Sequence, residues 1–242
     1  MSDQPPPSLP SLRNPPIAFA HRGGAAHARE NTLEAFRRAL DLGARGLETD
    51  AHLAGDGDVV LVHDASLRRG LRRISVGATP ASELARYAVP RLVDVYRDLG
   101  TDFELSVDLK APAVDEPVLA AARESDAVGR LWLCTPSVPR LVSLRARSAD
   151  VRLVHSTRRK SIKGSVERYA ADLRDAGIDV VNLHHTEWTA GLVELFHRFD
   201  VRAFAWDVQE VRHIRAAITI GLDGIYSDHV ERMVATVAEW SS

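Results

Sequence analysis

Short apolar runs and longer amphipathic stretches alternate along this chain from Ile17 onward. The runs Ile17–His21, Gly46–His52, Phe103–Leu109, Leu131–Cys134, Arg152–His155, Val180–His184, Arg202–Trp206 and Gly224–Tyr226 are brief, rich in β-branched or aromatic residues, and read as strands. Helical patterns lie between them. In Thr32–Leu42, for example, Leu33, Phe36, Ala39 and Leu40 share one face. Gly43, Gly100, Gly177 and Gly221 stand where such helices should stop. Eight strands, each followed by a helix, predict an α/β protein of the closed (β/α)8 TIM-barrel type. An open doubly wound sheet would have fewer strands and a glycine-rich phosphate loop, which the sequence lacks.

One connection departs from the alternation. Gly55-Asp56-Gly57-Asp58 is a turn signal, and Val59–Val62 is a further β-run. Together they predict a hairpin insertion after strand two, with that strand passing the barrel rim and returning. A turn centred near Asp56 brings His63 opposite Thr49, close to Glu48 and Asp50. From there to Pro90 the chain is irregular and carries Arg68, Arg69, Arg72 and Arg73. That stretch reads as a loop or small lid over the barrel mouth, its arginines on a solvated face.

Composition adds bounds. At 242 residues, 45% hydrophobic and 26% charged, the chain is ordinary globular material with length for one large core. The expected organisation is a disordered, Pro-rich leader over residues 1–16 and one barrel domain over 17–242. A net charge of −2 gives no overall drive toward nucleic acid or an anionic membrane. No stretch approaches the roughly 20 apolar residues that span a bilayer, so no stable membrane insertion is expected. The leader has no apolar core of the secretory kind. The one cysteine, Cys134, excludes an intrachain disulfide framework and reads as a buried thiol, consistent with a cytoplasmic protein. The oligomeric state stays open.

Candidate chemistry sits where the apolar runs end. His21-Arg22-Gly23 closes the first run, Glu48-Thr49-Asp50 the second, His63-Asp64 the hairpin return, and Asp108 and Lys110 the third. Charged groups at the mouths of core strands cost several kcal/mol unless paired or metal-bound. Barrel chemistry belongs at those strand ends. Glu48 and Asp50, two apart, point to one face, as do Asp108 and Lys110. Three converging carboxylates repel, and a divalent cation relieves them; an all-oxygen set favours Mg²⁺ or Ca²⁺ over Zn²⁺. The alternative is a structural ion network in which Glu48 and Asp50 pair with Arg22 or Lys110. His21 and His63 are the acid/base candidates. Arg22 and Lys110 suit the nonbridging oxygens of a phosphate, one as a fork and one as a point charge. Farther around the mouth come His155, His184, His185, Trp206 and Asp207, with the basic run Arg158-Arg159-Lys160 nearby. Trp206 suits either an apolar part of a substrate or closure of the rim. His27 and His52 carry no assigned role.

His21-Arg22-Gly23, Glu30-Asn31-Thr32 with Ala35-Phe36, Gly43-Ala44, Glu48-Thr49-Asp50, Asp56-Gly57 and His63-Asp64 together resemble the opening of the glycerophosphodiester phosphodiesterase family. Pro90-Arg91-Leu92, Trp206, Gly221-Leu222-Asp223-Gly224-Ile225 and Ser227-Asp228 resemble its later segments. The resemblance runs from about Ile17 to about Val230 and implies a barrel, one divalent ion, and hydrolysis of a small-molecule phosphodiester to a phosphomonoester, such as sn-glycerol 3-phosphate, and an alcohol. It implies His21 and His63 as the acid/base pair, Arg22 on the phosphate, Glu48 and Asp50 as metal ligands, and Glu30 in support. An adjacent substrate hydroxyl attacking first would instead release a cyclic phosphate, and a noncatalytic phosphate-binding barrel is the reading from another class. The chain departs from the family pattern in three places. Asp108 stands where a glutamate is usual, Arg29 replaces a proline, and the segment from His63 to Pro90 is shorter than the insertion that recognises glycerol.

Overall fold

A computed structural model describes residues 9–70 and 72–240. The strands are β1 (Ile17–Ala20), β2 (Gly46–Leu53), β3 (Val59–Leu61), β4 (Ser66–Arg69), β5 (Arg72–Ser75), β6 (Glu104–Leu109), β7 (Leu131–Thr135), β8 (Arg152–Ser156), β9 (Val180–His184), β10 (Arg202–Trp206) and β11 (Gly224–Ser227). The helices are α1 (Leu33–Asp41), α2 (Ala81–Leu84), α3 (Leu92–Leu99), α4 (Asp115–Glu124), α5 (Val138–Arg145), α6 (Val166–Asp175), α7 (Ala190–Arg198), α8 (Val211–Thr219) and α9 (Val230–Trp240). The expected barrel strands are all present, to within one residue at either end. β1, β2 and β6 to β11 pair in parallel in the order β1-β11-β10-β9-β8-β7-β6-β2, and pairing of β1 with β2 closes the ring. The fold is a (β/α)8 barrel. No helix among the described residues is long and apolar enough to cross a membrane.

Side-chain alternation along the strands sorts the core into two layers. Ile17 and Phe19 of β1 join Trp132, Cys134, Val154, Val180, Phe204 and Tyr226 inside the barrel, while Ala18 and Ala20 join the layer shared with the helices. The interior is filled to contact. A Cβ on Gly46 would lie 2.7 Å from the Phe19 ring, and one on Gly224 would lie 2.7 Å from the Phe204 ring. Above this plug the inward positions turn polar, and the mouth begins.

The hairpin after β2 is present. β3 returns antiparallel with Ala51 opposite Leu61 and Leu53 opposite Val59, and Val62 N–H donates to Asp50 O at 2.9 Å. The stretch up to Pro90 is more ordered than its sequence predicts. β4 and β5 form a second hairpin, and α2 follows. Ala54, Val60, Val62, Val76, Ala81, Leu84 and Val89 make a small core of their own beneath it. Arg29, at the expected proline position, donates to Tyr87 O at 2.6 Å and ties this insertion to the turn before α1.

The expected disordered leader needs correction over its second half; its first half, residues 1–8, lies outside the described residues. Leu9 N–H donates to Thr219 O at 3.0 Å. Ser11 Oγ and Arg13 N–H both donate to Asp223 Oδ1, at 2.7 and 3.0 Å, and Arg13 reaches Glu104 at 3.1 Å. Asp223 precedes β11 and Glu104 begins β6, so this segment lies against the bottom of the barrel, opposite the mouth.

Candidate active site

The chain leaves β1 through a tight turn. Arg22, Gly23 and Gly24 have φ of 50°, 81° and 95°, and a Cβ on Gly23 would meet that of Ala35 at 2.8 Å. Glycine is required at position 23, and Arg22 is held in a left-handed conformation uncommon outside glycine. The turn carries His21 and Arg22 over the barrel end, where Arg22 N–H donates to Glu48 Oε2 at 2.9 Å. Arg22 also reaches Glu30 at 2.9 Å and Asp50 at 3.3 Å. Its buried Nε has no well-aligned hydrogen-bond acceptor among the described residues.

Glu48 and Asp50 of β2 lie beside Ser106 and Asp108 of β6 in the parallel register. Glu48, Asp50 and Asp108 each offer a carboxylate oxygen, and these oxygens lie within 4.8 Å of one another. Lys110 bridges two of them, with Nζ 2.6 Å from Asp50 and 3.3 Å from Asp108. Asn31 donates to Asp50 at 3.1 Å and accepts from Thr49 Oγ1 at 2.6 Å. Burial opposes charge on Asp50, but Lys110 and Arg22 outweigh it and hold the carboxyl below its ordinary range. At Glu48 the balance falls the other way, although His21 and the Arg22 N–H favour its charge. Burial, with Asp50 and Asp108 adding repulsion, pushes it up to about 8. Burial raises Asp108 as well, so a hard, all-oxygen donor set with two acids short of positive charge fits a divalent cation. The ion-pair network is real as well, but it compensates Asp50 more fully than Glu48.

His21 is gripped from the far end of the chain. Its Nδ1 lies 2.6 Å from Asp228 Oδ1, and its Nε2 faces Glu48 at 3.7 Å. Burial lowers its basicity, but Glu48 and Asp228 prevail and raise the imidazole to about 9. Gln209 holds Asp228 in turn, donating to Oδ2 at 2.8 Å and accepting from its N–H at 2.9 Å. These groups open on a cavity of about 350 Å³ whose walls include His21, Arg22, Glu48, Asp108, Asn182 and Trp206. Asn182 Oδ1 is buried there without a hydrogen-bond partner among the described residues.

His63 behaves differently from the other predicted residues. It follows the hairpin return as expected, but its Nδ1 turns to Asp64 at 2.8 Å, its side chain is 39% exposed, and it is not among the residues lining the cavity. Sequence reasoning gave no role to Asp228, Gln209 or Asn31. Asp228 and Asn31 fall inside motifs noted from sequence, which was the available signal. Across the mouth, Trp206 is covered by Arg158, whose Cζ is 4.6 Å from the indole centroid.

The profile of the glycerophosphoryl diester phosphodiesterase family matches residues 21–232. A glycerophosphodiester phosphodiesterase of Caldanaerobacter subterraneus subsp. tengcongensis is 26% identical over 91% of this chain and 97% of its own. The crystal structure of a glycerophosphodiester phosphodiesterase from Thermotoga maritima superposes with a TM-score of 0.80 at 23% identity, covering 91% of this chain and 97% of its own. An Oleispira antarctica phosphodiesterase, solved in complex with its product sn-glycerol-3-phosphate, superposes at 0.79 with 20% identity, covering 92% and 97%.

Proposed function

Since this chain belongs to the glycerophosphoryl diester phosphodiesterase family, we propose that it hydrolyses glycerophosphodiesters, or closely related small phosphodiesters, to a phosphomonoester such as sn-glycerol 3-phosphate and an alcohol. One observation carries the reading. A histidine oriented by a carboxylate presents its other nitrogen to a cavity walled by Glu48, Asp108 and Arg22, with Asp50 and Lys110 paired alongside them.

Glu48, Asp50 and Asp108 would hold a divalent ion of the Mg²⁺ or Ca²⁺ type. When bound, such an ion neutralises the acids and polarises a phosphoryl oxygen. Arg22 and Lys110, at the rim of the acidic group, bind nonbridging oxygens of the diester and fix its orientation. Glu30 supports Arg22 through their 2.9 Å contact. Asp228 holds one tautomer of His21, so that Nε2 exchanges the proton with the attacking water or the leaving alkoxide. His63 is the second proton carrier in this reading, and its ring must leave Asp64 for the mouth to take part. Trp206, with Arg158 on its face, packs against the alcohol portion. The lone buried thiol of Cys134 is consistent with a cytoplasmic setting.

Glycerophosphocholine, glycerophosphoethanolamine, glycerophosphoglycerol and a lysophospholipid, each assayed by phosphorus NMR in ¹⁸O-labelled water, test the proposal. Metal-dependent release of labelled phosphomonoester is expected, with loss in EDTA. No cleavage of any diester with Mg²⁺ or Ca²⁺ would overturn it, and an unlabelled cyclic phosphate as first product would replace hydrolysis by transesterification.

A further inference from the structure

The mouth carries a second group of ligating side chains that the diester chemistry does not use. His184 ends β9, His185 opens the next turn, and Asp207 follows β10. Two strands separate this wall from β2 and β6 on either side of the ring. Each of the three residues offers a ligand atom, and these atoms lie within 4.8 Å of one another. His184 Nε2 and Asp207 Oδ2 are 3.1 Å apart. Adjacent ligands in a tetrahedron of ~2 Å metal bonds stand roughly 3.3 Å apart.

The surroundings prepare these atoms. His184 Nδ1 accepts from the Thr186 backbone N–H at 3.3 Å and lies 2.7 Å from Thr186 Oγ1, contacts that fix the ring with Nε2 toward Asp207. Asp207 has φ of 62°, a left-handed conformation that few non-glycine residues adopt. Gln209 donates to its Oδ1 at 3.2 Å and so orients Oδ2. The His185 ring lies between those of His184 and His213, at centroid distances of 4.6 and 4.4 Å. Neither of its nitrogens has a hydrogen-bond partner among the described residues.

We propose that His184, His185 and Asp207 form a second cation site, suited to a borderline transition ion of the zinc class rather than to the hard ions the acidic trio fits. His213 is a positioning residue that fixes the His185 ring. Because Asp207 and Trp206 line the cavity, an ion held here adds positive charge to its wall, across from the trio. The inference is independent of the hydrolytic reading, and its test measures no turnover.

Co²⁺ titrated into the protein in excess Mg²⁺ should give paramagnetically shifted imidazole N–H resonances in proton NMR. Zn²⁺ affinity measured by equilibrium dialysis under the same conditions should fall at least tenfold in His185→Gln, with loss of the shifted signals. Glu48→Gln should retain both. A wild-type protein without shifted imidazole signals overturns the proposal, as does a His185→Gln variant that binds Zn²⁺ like wild type. Loss of the signals in Glu48→Gln alone would place the ion in the acidic trio, which also overturns it.

Discussion

Two aspartate–histidine pairs stand at opposite ends of β11. Asp223 precedes the strand and meets His197 Nε2 at 2.7 Å at the bottom of the barrel; Asp228 follows it and meets His21 Nδ1 at 2.6 Å at the mouth. The distances are nearly equal, yet the surroundings are opposite. Asp223 is fully buried, and Ser11 Oγ, Arg13 N–H and Ala203 N–H also donate to it. Asp228 is 29% exposed, and the second nitrogen of its histidine faces a cavity and an under-compensated acid. Both aspartates have both oxygens engaged, so what separates the pairs is their setting. Asp223 ties the leader, Ala203 and His197 together in the core, whereas His21 lines the mouth cavity beside Glu48, where an imidazole can move a proton.

The sharpest contrast lies in the charge beside each pair. With Glu48 raised to about 8, an ion entering the trio must displace its proton. Affinity for Mg²⁺ or Ca²⁺ should therefore climb about tenfold per pH unit between roughly pH 6 and 8 and level off above. Calorimetry in buffers of different ionisation enthalpy should show about one proton released at pH 7; a pH-independent affinity would mean that Glu48 is already ionised. Next come the pairs themselves. Asp228→Asn and His21→Gln are each expected to lower kcat by about 10²–10⁴-fold in the folded enzyme, beyond the loss of the stability that the charged imidazole supplies. Asp223→Asn should do the reverse, costing about 3–5 kcal/mol of stability in urea unfolding while the folded fraction keeps its turnover. If the two aspartates behave alike, the distinction between the ends of β11 fails. A smaller effect separates the two histidines of the proposed proton relay. His63→Ala should lower kcat by about 10²-fold, whereas Asp64→Ala, which frees the His63 ring, should leave kcat unchanged or raise it. A His63→Ala enzyme with wild-type turnover would remove that residue from the chemistry.

The barrel was legible because every strand is an apolar run with a polar end, and the acidic trio was legible because Glu48 and Asp50 share a strand face with a period of two. What escaped has a common cause. Asp228 meets His21 across 207 residues of chain, and no local pattern signals a contact of that span. The leader residues Ser11 and Arg13 find Asp223 across 212 and 210 residues. Their proline-rich surroundings look disordered because local composition carries no record of a distant acceptor. The β4–β5 hairpin escaped for the opposite reason. Arg68 faces Arg73 across it, so its strands lack the alternation that marks a half-buried sheet. The hairpin register was derivable from the turn at Asp56, but the turning of the His63 ring toward Asp64 depends on a side-chain torsion that the spacing leaves free.

His155 completes the comparison, as a buried histidine with no carboxylate. Its Nε2 lies 3.1 Å from Pro136 O, and its Nδ1 pairs with the Tyr169 hydroxyl. Burial pulls this imidazole below its ordinary 6.5, so the folded chain holds it neutral while the unfolded chain takes up a proton. Stability should therefore decline as pH falls below about 6.5, until the folded state is protonated as well. His21 works in the other sense. Raised to about 9, its stabilising contribution is complete below about 6.5 and is lost as pH rises through about 9. In urea unfolding of the EDTA-treated protein from pH 5 to 10, His155→Gln should flatten the acid limb and His21→Gln the alkaline limb. Each variant should leave the other limb in place. An alkaline limb that survives His21→Gln would mean that Asp228 and Glu48 do not hold a charged imidazole at the mouth, and the proton relay would lose its starting state.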